Sequence, residues 1–330
     1  MNIDALFLGG TSIDLIQERR YPEKFSASVG GSITNSAIIS AKLGLKTTLL
    51  SRIGKDPMGD FAIRTLKSYQ VNTSGIIQDP GIRTPLAIAK VDKSGNSVYT
   101  FYKNPASLSI VPLKTAPKSL LDSCKFLHFG SSFSYQKETF QEALKYINYL
   151  KKRRVFVSFD PNLRPYVIKD KMEARKRVLR LLKLVNMAKL SGMDLEFLTG
   201  CKNPEKGLKR LKKLAKCEVI LTLGPKGSRY LDKKGNLIKV PAFKVKVADT
   251  IGAGDAYTAG ILYKIAKLGK REVFDNIRPA MVFASAVSAI ICTKRGANQG
   301  LKDIKQIKTF LAKRECESAV LTMKRLRKNY

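Results

Sequence analysis

The sequence predicts an α/β fold: a three-layer α/β/α core with a mostly parallel sheet and a small β-strand lid. Three observations lead there. From Phe126 onward, short buried-strand patterns alternate with amphipathic helical segments, the rhythm of a parallel sheet wrapped by helices. Residues 86–103 alternate around the turn Lys93-Ser94-Gly95-Asn96, a β-hairpin signal that stands outside that rhythm. Finally, a glycine-rich turn, Gly252-Ala253-Gly254, opens a long apolar helix.

Ala5 to Leu8 reads as a buried strand that ends at Gly9-Gly10. The polar stretch up to Val29 reads as short exposed strands, so residues of about 12–29 and 86–103 together supply the lid. Gly30-Gly31 precedes a helix from about Thr34 to Leu43, closed by Gly44. Thr47 to Ser51 is another strand, and Asp56-Pro57 starts a helix. Beyond the hairpin, strands are expected at Phe126–Phe129, Val155–Asp160 and Val219–Leu223. Helices are expected at Thr139–Lys151, Glu173–Val185 and Glu205–Lys216. Phe243 to Ala248 is strand-like and runs into Asp249-Thr250-Ile251-Gly252-Ala253-Gly254-Asp255, after which a helix continues from Ala256 to Leu268. No internal repeat or Gly/Pro-rich linker divides the chain, so residues 1–330 read as one domain with a basic tail over about 313–330.

Composition narrows the function. Hydrophobic residues at 44% and charged residues at 26% exclude disorder and a disulfide-stapled miniature. The longest apolar run, Ala280 to Cys292, falls short of the roughly 18 residues a membrane span needs. Five scattered cysteines without a CxxC pair, and His128 as the single histidine, exclude zinc ribbons, HExxH proteases and any His-based nucleophile centre not built on His128. Met1 to Asp4 lacks a cationic leader segment, and the expectation is a reduced, cytoplasmic protein. Sixty-one Lys and Arg against 26 Asp and Glu give a net charge of +35. Those cations recur at helical spacing in 151–183 and 202–216, and no RNA- or DNA-binding motif interrupts them, so they read as solvated helix faces. Neither nucleic acid nor membrane is expected as a partner. The tail, with Lys313-Arg314 and Lys324 to Lys328, is the best remaining candidate for a polyanion contact.

Glycines at a helix N-terminus let backbone N–H groups converge on an anion, and the helix dipole adds attraction. Asp255 stands beside that pocket, placed to take a proton from a hydroxyl as phosphate transfers to it. The dipole is expected to keep it ionised. The alternative is a glycine turn with an ordinary Asp cap. Six specified residues should coincide by chance only roughly once in 10⁵ chains of this size, and the alternative loses.

Asp249 to Asp255 closely resembles the second signature of the ribokinase/PfkB sugar-kinase family, and the resemblance covers nearly the whole chain. Gly30-Gly31-Ser-Ile-Thr-Asn35, running on to Leu43-Gly44, resembles the first signature. Phe159-Asp160-Pro161-Asn162-Leu163-Arg164 resembles a segment of the fructokinase and 2-keto-3-deoxygluconate kinase branches. Leu221-Thr222-Leu223-Gly224-Pro-Lys-Gly227 resembles the nucleotide-side strand and loop. Neither a Walker A sequence nor GxGxxG is present.

The resemblance implies a ribokinase-like fold and transfer of the ATP γ-phosphoryl group to a sugar hydroxyl. It makes Asp255 the base and the amides of Gly252, Ala253 and Gly254 the anion hole. It places Asp14, Gly31, Asn35, Tyr102, Lys103 and Arg164 at the sugar, and Ser191, Thr222, Gly224, Gly227 and Ser285 at the nucleotide. Asp194 stands where the family has glutamate and Ser191 where it has asparagine. The shorter carboxylate would hold Mg²⁺ through water. Asp249 and the Ile251 carbonyl would flank a monovalent cation such as K⁺. Bland readings stand beside several of these: a turn aspartate for Asp14, a locally bonded interior polar residue for Asn35, a surface salt bridge for Arg164, and small-residue helix packing for Ala284-Ser285-Ala286. Fructose leads as acceptor, ahead of 2-keto-3-deoxygluconate, whose kinases tend to have arginine where this chain has Lys103. Ribose or a nucleoside comes third. The rival from another class is a catalytically weakened kinase fold that binds nucleic acid. An open lid edge would suit a homodimer.

Overall fold

The computed structural model describes residues 3–17, 21, 23–91, 97–102, 104 and 106–314. The hairpin turn Lys93 to Asn96, Lys103 and the tail past Arg314 lie outside the described residues.

In chain order the first part comprises β1 (Ile3–Leu8), β2 (Ser12–Gln17), β3 (Phe25–Gly30), α1 (Ser32–Lys42), β4 (Thr47–Gly54), α2 (Pro57–Ser68), β5 (Ile76–Asp79), β6 (Leu86–Val91) and β7 (Ser97–Tyr102). The chain then alternates: α3 (Lys118–Ser123), β8 (Cys124–Gly130), α4 (Lys137–Lys151), β9 (Phe156–Asp160), α5 (Lys171–Leu182), β10 (Met187–Ser191), α6 (Gly192–Thr199), α7 (Pro204–Leu214) and β11 (Glu218–Thr222). It continues with β12 (Ser228–Leu231), β13 (Leu237–Val240), α8 (Ala253–Leu268), α9 (Lys270–Asp275) and α10 (Ile277–Ile291), and residues 304–314 are helical. Among the described residues no helix is long and apolar enough to cross a membrane.

Nine strands form the large sheet, in the order β13-β12-β11-β10-β9-β8-β1-β4-β5. Every pairing from β11 to β5 is parallel, and β12 and β13 add an antiparallel edge. Strand alternation builds the layers: Leu6 and Leu8 of β1 enter the core under α3 to α7, whereas Ala5 and Phe7 face α1, α2 and α8 to α10. Chain order reverses between β1 and β8, and sheets of this kind take ligands beyond the carboxyl ends of the strands at such a switch.

Local signals set the helix starts. Asp56 caps α2 by accepting from the Gly59 amide, with Pro57 at the first helical position. Asn203 and Pro204 do the same for α7. Over the carboxyl ends lies the second sheet, four strands in the order β3-β2-β6-β7, which is the expected lid. Its pairings are antiparallel except β2 with β6. One expected strand is missing. Phe243 to Ala248 runs unpaired after β13, because Pro241 has no N–H to continue the ladder and the segment leaves the sheet edge.

Candidate active site

The glycine turn is held from below by Asp249. Its Oδ1 accepts the Ile251 amide at 3.0 Å and its Oδ2 the Gly296 amide at 3.1 Å, tying the turn to the segment after α10. Gly252 caps α8 with φ of 77°, and a Cβ there would stand 2.2 Å from the Ala297 carbonyl oxygen. Only glycine fits. The Ala253 amide donates to Thr250 O at 3.2 Å, which closes the turn and puts Ala253, Gly254 and Asp255 in the first turn of α8.

Asp255 is buried between α8 and α1. Ser32 Oγ donates to its Oδ1 at 2.7 Å and Asn35 Nδ2 to its Oδ2 at 3.0 Å. The Asn35 amide is oriented in turn by Asn298, whose Nδ2 donates to Asn35 Oδ1 at 3.5 Å and to Val29 O at 3.3 Å. Burial raises the Asp255 pKa and the nearby Asp160 charge adds to it, while Ser32, Lys189 and Asn35 pull it down. The net direction is upward, so the helix dipole does not govern this carboxylate as the sequence reading expected. Desolvation outweighs it.

Asp14, on β2, lies over Gly30 of β3, where a Cβ would stand 2.3 Å from its carboxyl atoms. Burial pushes its pKa up to about 6; Asp255 adds to the rise and the Ser12 hydroxyl, 3.3 Å from Oδ1, opposes it. A raised carboxylate pKa means that the folded protein takes up this proton at a higher pH than the unfolded chain. Protonation therefore stabilises the fold at low pH, and that contribution is lost as pH rises through about 6. We expect Asp14→Asn to gain about 1–3 kcal/mol at pH 7.5, with the gain shrinking at pH 4. Thermal melts at the two pH values check it; equal shifts at both would show that the buried charge carries no such cost.

The carboxyl ends of β9 and β10 contribute a buried row that sequence reasoning missed in part. Lys189 Nζ pairs with Asp160 Oδ2 at 2.7 Å, with side-chain exposures of 6% and 2%. Gly130 admits this arrangement, since its Cβ would stand 1.7 Å from the Asp160 carbonyl oxygen. Asp194 completes a capping box with Ser191: its Oδ2 accepts the Ser191 amide at 2.7 Å and the Ser191 hydroxyl at 2.6 Å, and its Oδ1 accepts the Leu163 amide at 2.8 Å. Only 1% of Asp194 is exposed, so it presents no face for direct metal ligation. Among the described residues no group of three or more His, Cys, Asp or Glu stands together as a metal cage.

The remaining sugar-side expectations divide. Gly31 caps α1 with φ of 101° and lies against the Gly10 carbonyl. Arg164 is exposed and curls onto its own loop, donating to Asn162 Oδ1 at 2.7 Å. Tyr102 ends β7 at the lid edge, exposed.

On the other side of the α8 N-terminus opens a cavity of ≈ 540 Å³. Thr222, Gly224, Gly227 and Ser285 all line it, together with Ala253, Gly254 and the unpaired stretch after β13. Ser191 is outside its lining, engaged in the α6 cap. The small-residue triplet of α10 splits its duties: Ser285 faces the cavity, whereas Ala284 packs so closely on α8 that a Cβ at Gly260 would stand 2.7 Å from its Cα. The first turn of α8 thus stands between a buried carboxylate and a cavity of small-ligand size, and a helix N-terminus there attracts an anion.

This organisation defines the kinases of ribokinase-like fold, which phosphorylate hydroxyl groups of carbohydrates. The chain matches the model of the pfkB family carbohydrate kinases over residues 3–304, and it belongs to that family. Fructokinase-2 of Zea mays is 31% identical over 295 residues, covering 88% of this chain and 87% of the relative. A fructokinase with bound ATP from Xylella fastidiosa has the same fold (TM-score 0.86, 23% identity, 96% of this chain and 100% of that one). A fructokinase from Vibrio cholerae O395 in fructose-, ADP- and calcium-bound form aligns with TM-score 0.81 at 28% identity, over 94% of this chain and 99% of that one. The protein is a carbohydrate kinase similar to fructokinases.

Proposed function

We propose that this kinase transfers the γ-phosphoryl group of Mg·ATP to a hydroxyl of fructose, with Asp255 as general base. One observation carries the reading: Asp255 already accepts a hydroxyl, that of Ser32, at 2.7 Å beside the α8 N-terminus. A sugar hydroxyl replacing Ser32 Oγ would donate to the same carboxylate oxygen. With ATP in the cavity, its terminal phosphates would meet the Gly252 and Gly254 amides, the Ala253 amide being held by Thr250 O. In a loose transition state the acceptor proton leaves late, so Asp255 needs position more than strong basicity. Asp14, Gly31 and Asn35 would bind the other hydroxyls, and Tyr102 would approach them from the lid.

Mg²⁺ would arrive on the ATP phosphates and keep most of its water shell, since Asp194 is committed to its cap. Asp249 and the Ile251 carbonyl would flank a monovalent cation such as K⁺. Fructose is favoured by the Vibrio cholerae fructokinase, which binds fructose and ADP, and by the Asp160 to Arg164 segment. The lid carries exposed Phe25 and Tyr102, where a second copy of the chain would sit. A cytoplasmic, reduced setting suits Cys124, Cys201, Cys217 and Cys292, none of which is in a disulfide.

A coupled ADP-release assay over fructose, 2-keto-3-deoxygluconate, ribose and nucleosides tests the proposal. Turnover is expected to be strongest on fructose. Preference for another acceptor would overturn the fructose assignment, and no turnover on any, with ATP binding intact, would overturn the kinase activity itself.

A further inference from the structure

Lys189 is the one buried lysine or arginine among the described residues. It sits in β10, where Met187, Ala188 and Leu190 pack into apolar layers, and is paired in register with Ile220 of β11. Taking an ammonium out of water at the centre of a sheet is costly, and an apolar side chain would fill the strand at less expense. Its position gives the charge a use. Nζ is clamped by Asp160 at 2.7 Å and lies so close to the α8 turn that a Cβ on Gly254 would stand 3.0 Å from it. One buried cation therefore underlies both the anion-binding turn and the carboxylate that follows it in sequence.

Resting on the reading of Asp255 as the base, we propose that Lys189 is a positioning residue for phosphoryl transfer: its ammonium, fixed by Asp160, braces the Gly254 turn and supplies the positive charge that offsets the carboxylates crowding Asp255. The charged groups around Asp255 are Asp14 from β2, Asp160 from β9 and Lys189 from β10, with Ser32 and Asn35 the polar contacts from α1. Without Lys189 the cluster holds only like charges. Burial opposes the lysine's own charge, but the Asp160 ion pair and the fields of Asp194 and Asp255 outweigh it, so it stays protonated. The chain has thus set a fixed cation where negative charge gathers as the phosphoryl group transfers, behind the backbone rather than in contact with the substrate.

The test uses the full chain and three variants: Lys189→Met, Lys189→Arg and Asp160→Asn. Each is assayed for kcat and kcat/KM from pH 5 to 9, for affinity toward a fluorescent ADP analogue, and for melting temperature. Lys189→Met is expected to lower kcat by roughly 10²-fold with ADP affinity held within about threefold. Its acid limb should move to higher pH by about one unit, because Asp255 loses its cation. Asp160→Asn should move the limb the opposite way, since a like charge is removed. Lys189→Arg should restore the limb position. A role in packing alone predicts lower stability with unmoved limbs. Stationary limbs in the folded variants, or in Asp160→Asn alone should Lys189→Met not fold, overturn the proposal. Asp255→Asn run in parallel separates the two ideas: full turnover there would remove the base assignment itself.

Discussion

Asp255→Asn is expected to reduce kcat by roughly 10³–10⁴-fold, the range associated with loss of a positioned general base, with ATP affinity little changed. The substitution is nearly isosteric. Asn Oδ1 can still accept the Ser32 hydroxyl, but the new amide N–H₂ would face Asn35 Nδ2, donor against donor. Asn35 cannot simply turn over, because its Oδ1 is engaged by Asn298. Against that conflict stands a gain, since a buried carboxylate whose pKa is raised no longer has to be ionised at neutral pH. The two oppose, and stability should change by no more than about 1–2 kcal/mol. Wild-type activity should also fall on the acid side. Asp14 and Asp255 both have raised pKa values, and each is needed as the carboxylate, so activity is present above their pKa values and lost as pH falls through them, which for Asp14 lies at about 6. A steady-state pH profile and a denaturation curve check both parts. A folded variant with near-full turnover would remove Asp255 as the base.

Gly252→Ala is expected to lower kcat by about 10²-fold or more and to destabilise the fold by about 2–4 kcal/mol. A methyl group there meets Ala297 O at 2.2 Å and Ala297 Cα at 2.7 Å, both backbone, from a residue whose φ is 77°. Relief requires moving the segment around Ala297, and that segment is shared: Gly296 N holds Asp249, and Asn298 orients Asn35. The damage therefore spreads from the turn to the carboxylate site. Gly254→Ala makes the control, since its nearest neighbour is the tip of the Lys189 side chain at 3.0 Å and its φ is not in the left-handed region. If the two variants lose equal stability, backbone contact at Gly252 is not what fixes the turn. Urea unfolding alongside kinetics measures both.

Much of the fold was legible because its signals are local. Alternating strands and helices announced the parallel sheet, and the contiguous run Asp249 to Asp255 announced the turn and helix start. Phe243 to Ala248 misled because alternation says nothing of whether a neighbouring strand exists; Pro241 was the cue that the ladder stops. Asp194 illustrates a different limit. A carboxylate three residues after serine is also a capping box, and the structure spends one of its oxygens there and the other on the Leu163 amide. Lys189 escaped notice because a lone lysine in a short strand reads like a solvated one. Only the register, which sets β10 between β9 and β11, shows that it is enclosed. Ser32 escaped for a related reason: its partner lies 223 residues away, and no window on the sequence joins them.

That separation has a consequence for biosynthesis. At about 5–20 residues per second, a ribosome takes on the order of ten seconds or more to travel from Ser32 to Asp255. Throughout that interval α1 waits without α8, and its Ile39 and the Leu43 that follows it, later covered by α8, α10 and the segment to Ile307, lack those partners. Emergence of α8 and the segments that follow it, rather than of the first strands, therefore times the assembly of the site, and the half-made chain is the form in greatest need of chaperone protection.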